Sequence, residues 1–412
     1  MREMKDSGIS WIADIPEHWS VSKIGGLYSL RVTKISDRDY PPLSVTNKGI
    51  LPQLETVAKT NAHDDRKLVC KGDFAINSRS DRRGSCGISS YTGSVSLINT
   101  ILRPMTEMHP QYYDWLFHTI QFGDEFYKWG HGIVDDLWTT GWQDMKKISI
   151  PTPPITEQAV IADFLDEQCA EIDSLISDIQ SQIEALEEYK RSVITEAVTK
   201  GLDPDVEMRD SGVQWIGMMP THWDCQRGKY ILRYVQKPVR DDDGVITCFR
   251  DGEVTLRSNR REEGFTMADK EIGYQGIDVG DLVVHGMDGF AGAIGISDSR
   301  GKASPVLNVL DTEQNKRYIM YYLRSMAYND VFVALATGIR VRSCDLRWNK
   351  LAELLYPLPP VEEQKAIVEH IDSVLERTNA IIADKKQQIE TIEEYKKSLI
   401  FEYVTGKKEV QS

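Results

Sequence analysis

One sequence element occurs twice in this chain, in the same order and at nearly the same spacing. MKDSGISWIADIPEHW, Met4 to Trp19, returns as MRDSGVQWIGMMPTHW, Met208 to Trp223, at a constant offset of 204 residues. A second pair, PPITEQAVIADFLDEQ from Pro153 and PPVEEQKAIVEHIDSV from Pro359, follows at an offset of 206. Because the repeat spans the chain, its 412 residues are expected to fold as two related halves rather than as one domain.

The second repeated element predicts two long amphipathic helices. It continues into EEYKRSVITEAVTKG and EEYKKSLIFEYVTGK without an insertion or deletion, as expected where every residue's angular position matters. Apolar residues recur at seven-residue spacing, which is typical of coiled-coil seams and favours two helices that pack on each other. The alternative is that each helix packs only on its own domain. The predicted pairing positions are Leu165, Ile172, Ile179, Leu186, Leu375, Ile382 and Ile389.

Turn residues and apolar alternation define the predicted domains. Proline pairs begin both helical segments, and Gly201 and Gly406 end them. KGDFAIN and VGDLVVH alternate apolar and other residues beside glycines, which predicts matching strands in an α+β fold of two mixed α/β domains. WIGMMPTHW directly follows the first helix, so we expect WIADIPEHW to pack near the end of the second. The predicted segments are domains at 1–152 and 202–358, helices at 153–201 and 359–406, and a tail at 407–412.

The charge distribution leaves a nucleic-acid partner open despite a net charge of −14. Residues 153–200 contain 3 basic and 11 acidic residues, whereas residues 1–152 contain 18 of each. The acidity is therefore concentrated in the first predicted helix, and either domain can carry a local basic face. Six scattered cysteines without a CxxC pair predict free thiols. A polar N-terminus and the lack of an apolar run near about 20 residues predict a cytoplasmic protein.

The order of these elements resembles the specificity (S) subunit of type I restriction–modification systems. The doubled DSG..W....P.HW opening and the doubled PP-x-x-E-Q and EEYK helices alternate with two variable regions, and the resemblance covers the whole chain. It implies that each variable region is a target recognition domain that reads one half of an asymmetric, two-part site on double-stranded DNA. It also implies that the helices form an antiparallel coiled coil that sets the spacing between the half-sites.

The same resemblance implies the partners and the absence of catalysis in this chain. The helices would dock two methyltransferase (M) subunits, and restriction translocase–nuclease (R) subunits would complete the complex. No cofactor is expected in this chain, because S-adenosylmethionine, ATP and Mg would be bound by the other subunits. Residues such as GFAGAIG, Gly289 to Gly295, are not followed by a helical pattern and so do not predict a cofactor loop.

Candidate DNA contacts lie in polar loops that are rich in arginine and asparagine. Arginine suits phosphates and guanine, and asparagine suits adenine. A solvated loop is the alternative for each run. In the first half the candidates are Thr46, Asn47, Lys48, Asn77, Ser78, Arg79, Arg82 and Arg83. In the second half they are Arg250, Asp251, Arg257, Asn259, Arg260, Arg261, His285, Met287, Arg340, Arg342 and Arg347.

Other paired residues are interpreted as structural. Trp11, Trp19, Trp215 and Trp223 are predicted to seat each domain on its helix, and His18 and His222 lack neighbours that would indicate a metal. Two other functions remain open. A coiled-coil scaffold that binds only proteins fits the net charge and the long seams, and salt-dependent DNA binding would separate it from the main interpretation. An enzyme with an unrecognised site is disfavoured, since no nucleophile–base or metal-ligand spacing occurs.

Overall fold

The computed structural model describes residues 2–53, 63–79, 82, 84–132, 138–260, 272–335 and 346–411. The chain divides into two compact units: unit 1 comprises residues 1–179 and 386–412, and unit 2 comprises residues 180–385. Each unit therefore groups one predicted domain with the first part of one long helix and the last part of the other. Both units are mixtures of helices and short antiparallel strands, as the α+β prediction requires.

Unit 1 contains thirteen described strands and four short helices beside its parts of the long helices. The strands are β1 (Met4–Ile9), β2 (Ala13–Pro16), β3 (Ser20–Lys23), β4 (Tyr28–Leu30), β5 (Lys34–Ile35), β6 (Leu43–Thr46), β7 (Gly49–Pro52), β8 (Arg66–Val69), β9 (Phe74–Asn77), β10 (Cys86–Ile88), β11 (Gly93–Ser96), β12 (Asn99–Pro104) and β13 (Ser149–Thr152). The short helices are α1 (Ile24–Leu27), α2 (Pro110–Phe117), α3 (Ile120–Lys128) and α4 (Trp142–Met145).

Unit 2 contains twelve described strands and four short helices. The strands are β14 (Met208–Asp210), β15 (Met218–Pro220), β16 (Asp224–Arg227), β17 (Arg233–Tyr234), β18 (Ile246–Cys248), β19 (Val254–Leu256), β20 (Gln275–Ile277), β21 (Leu282–His285), β22 (Ile294–Ile296), β23 (Gly301–Ala303), β24 (Leu307–Asp311) and β25 (Leu355–Leu358). The short helices are α6 (Gly228–Ile231), α7 (Lys316–Tyr328), α8 (Val331–Ala334) and α9 (Trp348–Leu351). The two long helices are α5 (Ile155–Lys200) and α10 (Val361–Val404).

The central sheets of the two units have the same construction. Unit 1 orders its strands β10-β9-β12-β4, and unit 2 orders its strands β22-β21-β24-β17. Asn77 pairs with Asn99 in unit 1, and His285 pairs with Leu307 in unit 2, so both partners are displaced by 208 residues. Because the register is preserved, a residue in β9 can be compared directly with the residue 208 positions later in β21.

The long helices run antiparallel wherever they meet within a unit. In unit 1 the rings of Phe164 and Tyr403 lie 4.5 Å apart, and Lys396 forms a 2.6 Å ion pair with Asp173. Residue numbers thus rise along α5 as they fall along α10. In unit 2, Lys385 Nζ donates to Gln182 Oε1 at 2.5 Å, which continues the same pattern. The antiparallel coiled coil predicted for the fold is therefore present.

The predicted seam positions are shielded from water. Leu165, Ile179 and Ile382 are at most 6% exposed, and the remaining four positions are partly buried: Ile172, Leu186, Leu375 and Ile389. The helix ends also enter the domain cores. Leu165 lies in the core of unit 1, whereas Ile194 and Val198 of the same helix lie in the core of unit 2. Packing between helices and packing on domains, which appeared as alternatives in the sequence, thus both occur.

The repeated HW and EQ motifs form one clamp in each unit. In unit 1, Glu157 in the first turn of α5 accepts hydrogen bonds from Trp19 Nε1 at 3.0 Å and contacts His18 at 2.5 Å. In unit 2, Glu363 of α10 makes the same contacts with Trp223 at 3.0 Å and His222 at 2.8 Å. Both tryptophans are 1% exposed, so their predicted core role is confirmed. His18 and His222 thus help to hold the first turn of α5 and of α10, respectively.

The end of each long helix is also held by its unit. Tyr112 donates to the Val404 carbonyl at 2.7 Å in unit 1, and Tyr318 donates to the Val198 carbonyl at 3.1 Å in unit 2. A Cβ on Gly406 would lie 2.5 Å from Pro16, so only glycine fits between the end of α10 and the WIADIPEHW segment. This contact agrees with the packing predicted for that segment.

Candidate nucleic-acid interface

Strands β18 and β19 of unit 2 form a hairpin that carries several of the predicted contacts. Its turn contains Arg250 and Asp251 and closes at Gly252, whose φ of +91° favours glycine. The Gly252 carbonyl lies so close to Gly295 of β22 that no side chain could be placed there. This close approach seats the hairpin on the central sheet and holds its turn at a defined place.

A groove of about 850 Å³ lies beside this hairpin. It is lined by five of the predicted contacts, which come from the hairpin, the segment after it and the end of β21: Arg250, Asp251, Arg257, Arg260 and His285. The structure thus brings together side chains that are up to 35 positions apart in the sequence, from Arg250 to His285. A concave surface lined by guanidinium groups and an imidazole has the donor chemistry that phosphates and base edges accept.

Two arginines of the groove, Arg250 and Arg260, are held by neighbouring carboxylates. Arg250 pairs with Asp288 at 2.8 Å, and Arg260 pairs with Asp251 at 2.6 Å and Glu253 at 3.1 Å. Partial burial opposes ionisation of Asp251, but the hydrogen bonds from Arg260 and the Glu253 N–H and the charges of Arg260 and Arg324 together outweigh it and leave the pKa of Asp251 below its ordinary value. The guanidinium of Arg260 also lies 4.3 Å from the centre of the Phe249 ring. These partners orient the cations before any ligand arrives.

Unit 1 has an equivalent hairpin, formed by β6 and β7. Thr46 Oγ1 donates to the Gly49 carbonyl at 2.9 Å and accepts from the Lys48 N–H at 3.1 Å, which closes the turn. Asn47 and Lys48 are exposed at its tip. A Cβ on Gly87 of β10 would lie 2.8 Å from Gly49 Cα, so this hairpin also rests on the sheet through a glycine contact.

The equivalence of the two hairpins is not apparent from the sequence. SVTNKG and CFRDGEV share little. The signal that could have joined them is the glycine in SCGIS and AIGIS, Gly87 and Gly295, because each faces a second glycine across a turn. Paired glycines of this kind indicate that two backbones approach closely.

The loop after β9 separates buried from exposed candidates. Asn77 and Ser78 are 7% and 9% exposed, and Ser78 Oγ shares a 2.9 Å hydrogen bond with Thr100 Oγ1. Arg79 and Arg82 are exposed, and the Arg79 carbonyl accepts from the Tyr127 hydroxyl at 3.0 Å. Asn77 and Ser78 are thus buried and support this loop from inside the domain, and their contact with DNA stays a prediction.

The remaining candidates lie apart from the groove or beyond the described ranges. Asn259 donates to Thr255 Oγ1 at 2.9 Å, and Met287 is 58% exposed in the loop after β21. Arg347 is exposed at the start of α9, and the N–H of its neighbour Leu346 donates to the Gly286 carbonyl at 2.8 Å. Four arginines fall outside the residues that the structure describes: Arg83, Arg261, Arg340 and Arg342.

Within the ranges that the structure describes, no group of His, Cys, Asp and Glu side chains is placed to hold a metal ion. None of the helices in the same ranges combines the length and apolar character needed to cross a membrane.

Comparisons with known proteins find similarity to one family. Residues 280–391, which include β21, the loop after it and most of α10, match the family model described as "Type I restriction modification DNA specificity domain". The chain is 24% identical to the type I restriction enzyme MjaVIII specificity subunit of Methanocaldococcus jannaschii, and the match covers 97% of this chain and 95% of that protein. The chain is thus similar to type I specificity subunits. A putative MjaX specificity subunit of the same organism is also 24% identical, over 65% of this chain and 61% of that protein.

Two solved structures have a fold similar to that of this chain. A chain from a study of "complex assembly and conformational transition of the type I R-M system" has a TM-score of 0.69 at 12% identity, covering 95% of this chain and 99% of that chain. The HsdS subunit from Thermoanaerobacter tengcongensis has a TM-score of 0.50 at 13% identity, covering 95% of this chain and 98% of that chain. At such identities the likeness supports the two-domain architecture with long helices. It does not indicate which residues contact DNA.

Proposed function

We propose that this chain is the non-catalytic DNA-reading subunit of a cytoplasmic type I restriction–modification complex. Units 1 and 2 each read one half of an asymmetric, two-part site on double-stranded DNA. The paired helices set the gap between the half-sites and dock two M subunits, and R subunits complete the complex. S-adenosylmethionine, ATP and Mg act on those other subunits.

One observation carries this proposal. The same sheet register occurs twice in one chain, at Asn77 with Asn99 and at His285 with Leu307, yet the loops beside it differ in sequence and charge. Two identical readers on a pseudo-two-fold frame would demand a palindromic site. Fusing two copies into one chain preserves the frame and lets each loop set diverge, so the recognised site becomes asymmetric.

The experiment that tests the reading role is a map of methylated motifs. Cells that contain this chain with its M subunits are examined by modification-sensitive sequencing before and after the β18–β19 hairpin segment 246–256 is exchanged for that of another specificity subunit. We expect a two-part motif in which the exchange alters one half and preserves the other. A complex that methylates a motif unaffected by the exchange would contradict the assignment of this hairpin to a half-site.

A protein-binding scaffold without DNA contact is separated by salt dependence. For a DNA reader, log K falls linearly with log salt, with a slope of roughly −0.9 for each neutralised phosphate. We expect such a slope for the complex with its M subunits, together with a preference for the methylated motif over scrambled DNA. Equal affinity for both sequences at every salt concentration would favour the scaffold.

The spacing role is tested by lengthening both helices together. Glu184 of α5 and Asp384 of α10 lie at matching heights, because Gln182 contacts Lys385 nearby. Four residues inserted after each preserve the pairing, add about 6 Å and rotate the helix by only about 40° beyond one turn. We expect the gap in the methylated motif to grow by about two base pairs while both half-site sequences persist. An unchanged gap would show that the helices do not set the spacing between the half-sites.

A further inference from the structure

His285, the last residue of β21, has one ring nitrogen engaged by the loop that follows it. Its Nδ1 accepts hydrogen bonds from the backbone N–H of Met287 at 3.2 Å and of Asp288 at 2.9 Å. A nitrogen that accepts two N–H groups cannot carry a proton itself, so the neutral ring bears its proton on Nε2. The loop thereby selects one tautomer and leaves a single donor on the outer side of the ring.

The outer nitrogen belongs to a residue that lines the groove, and it has no hydrogen-bond partner among the described residues. His285 lines the groove, and its side chain is 16% exposed. Asp288 Oδ2 lies 3.9 Å from Nε2, which is too far for a hydrogen bond, and Asp288 is already paired with Arg250 at 2.8 Å. Nε2 makes no hydrogen bond to a residue that the structure describes. A donor of this kind, in a side chain that is mostly buried, is satisfied by water in the open groove and by an acceptor on a ligand that fills it.

The surroundings keep the imidazole neutral. Burial lowers the pKa of His285, and the nearby Arg250 cation acts in the same direction, whereas Asp288 opposes them. Protonation would also place a proton on Nδ1, opposite the two N–H groups of the loop. The ring therefore stays a one-directional donor, unlike a solvent-exposed histidine, which can exchange its donor and acceptor roles.

We infer that His285 is a specificity-determining residue of unit 2, whose Nε2–H donates to an acceptor on a base edge in the major groove. This inference rests on the proposed reading function. Guanine presents two adjacent acceptors, N7 and O6, at that edge, whereas the cytosine N4 amino group presents a donor. Because the ring cannot reverse its polarity, a donor at the same place would leave two N–H groups facing each other. The donor therefore excludes cytosine. Adenine N7 and thymine O4 are single acceptors at the same edge, whereas guanine offers two side by side, so we expect a guanine opposite His285.

The equivalent residue of unit 1 supports separate roles for the two ring nitrogens, with the inner one binding the loop and the outer one facing the ligand. Asn77 ends β9 at the position that corresponds to His285, and its Oδ1 accepts from the Arg79 N–H at 3.1 Å. In both units the inner atom of this side chain is an acceptor for the N–H two residues later. The inner atom is thus part of the shared frame, and only the outer part of the side chain differs between the readers.

Two substitutions separate these roles. In His285→Asn, the amide oxygen can replace Nδ1 as the acceptor for the loop, as it does in Asn77, but the Nε2 donor is lost. In His285→Gln, the amide nitrogen can replace Nε2 as the donor, while the acceptor for the loop is lost. A purely structural role would make the Gln variant the more damaged of the two, and a reading role makes the Asn variant the one with altered specificity.

The experiment compares methylated motifs of the complete complex for the wild type and both variants. We expect His285→Asn to relax one guanine position in the half-site of unit 2, with discrimination falling roughly ten- to hundred-fold, and His285→Gln to retain it. Relaxation of no position, or equal weakening on every sequence, would overturn the inference. A complex that yields no two-part motif even for the wild type would instead overturn the proposed function.

A second measurement does not depend on how the variants fold. The wild-type complex is bound to its site with 7-deazaguanine placed at one guanine at a time, which removes the N7 acceptor. We expect one position in the half-site of unit 2 to lose affinity, and we expect no further loss at that position in His285→Asn. Equal losses at that position in the wild type and in His285→Asn would contradict a contact made by His285.

Discussion

The two units place their positive charge on different loops of the same sheet. In unit 1 the loop after β9 carries the exposed cations Arg79 and Arg82, and the hairpin carries only Lys48 at its tip. In unit 2 the loop after β21 is GMDGFAG and has no cation, whereas Arg250 in the hairpin turn and the residues after it supply the charge. The position of the cations is therefore independent of the strand order.

This difference shows which parts of the molecule can vary. Sheet register, the glycine contact under each hairpin and the glutamate clamps are the same in both units, and these features place a loop in space. The charge on a loop is set by residues that make few contacts with the frame. We therefore expect substitutions in the frame to affect both half-sites, and substitutions in a loop to affect one.

The largest loss of stability is expected in the seam between the two long helices. Both units share this seam, so a change there should not distinguish one unit from the other. Ile179→Asp would bury a carboxylate at a position that is 6% exposed and should cost several kcal/mol of unfolding free energy. Chemical denaturation measures this loss, and methylation at both half-sites should fail together. Leu175→Asp is the matched control, because Leu175 is 49% exposed on the same helix. Similar losses of unfolding free energy in the two variants would contradict the assignment of Ile179 to the seam.

A smaller and more selective effect is expected at the loops. Arg79→Ala should weaken discrimination in one half-site, and Arg260→Ala should weaken it in the other, by roughly 1–3 kcal/mol where a base contact is lost. Binding of the complex to duplexes altered in one half-site at a time measures both. Arg103→Ala, at an exposed arginine of β12 outside the loops, serves as the control. Loss of discrimination in both half-sites from one loop variant would show that the readers are not separable.

Much of the frame was predictable because repeats and periodicity are local signals. The offset of 206 and the seven-residue spacing placed the helices at 153–201 and 359–406, and the structure has them at Ile155–Lys200 and Val361–Val404. The proline pairs precede the helices and the glycines follow them, since Gly201 and Gly406 have φ near +79° and +71°. The pairing of the two helices could be predicted because each carries an apolar stripe that is buried when the two stripes meet.

The site was less predictable, because it depends on distant segments and on burial. Arg250, Arg260 and His285 share a groove only after β18, β19 and β21 have packed together. The residue type of Asn77 suggests a base contact. However, all four residues of β9 are buried, and Asn77 is the last of them. The tautomer of His285 depends on the backbone of Met287 and Asp288, which no residue pattern encodes.

The helix clamps should show a moderate difference between the units. Glu157 contacts His18, Trp19 and also Arg2, whereas the residue that corresponds to Arg2 in the repeat is Val206 and Glu363 lacks that cation. Burial opposes ionisation of Glu157, but its hydrogen-bond donors outweigh it and hold the pKa of Glu157 below its ordinary value. Glu157→Gln should therefore cost more stability than Glu363→Gln, about 1–2 kcal/mol against about 1. Denaturation of both variants measures the difference, and equal costs would show that Arg2 contributes nothing.

The smallest effect concerns pH and is confined to unit 2. Asp278 forms ion pairs with Lys237 at 2.8 Å and Arg300 at 2.6 Å, and these two cations lower its pKa from 3.8 to about 2. The corresponding residue of unit 1, 208 positions earlier, is the neutral Cys70. In both units the backbone N–H at this position donates to an aspartate at 2.8 Å.

Because the folded state lowers the pKa of Asp278, its ion pairs stabilise the protein above the ordinary value near 3.8 and are lost as the pH falls toward 2. Asp278 is 42% exposed, so solvent screening limits the gain to less than about 1 kcal/mol. Asp278→Cys, which installs the residue of unit 1, should lower stability at pH 7, and its deficit should vanish as the pH falls from about 4 to 2. Asp242→Asn, at an exposed carboxylate, should show no such trend. A deficit that stays constant across this range would mean that Asp278 acts through packing rather than through its charge.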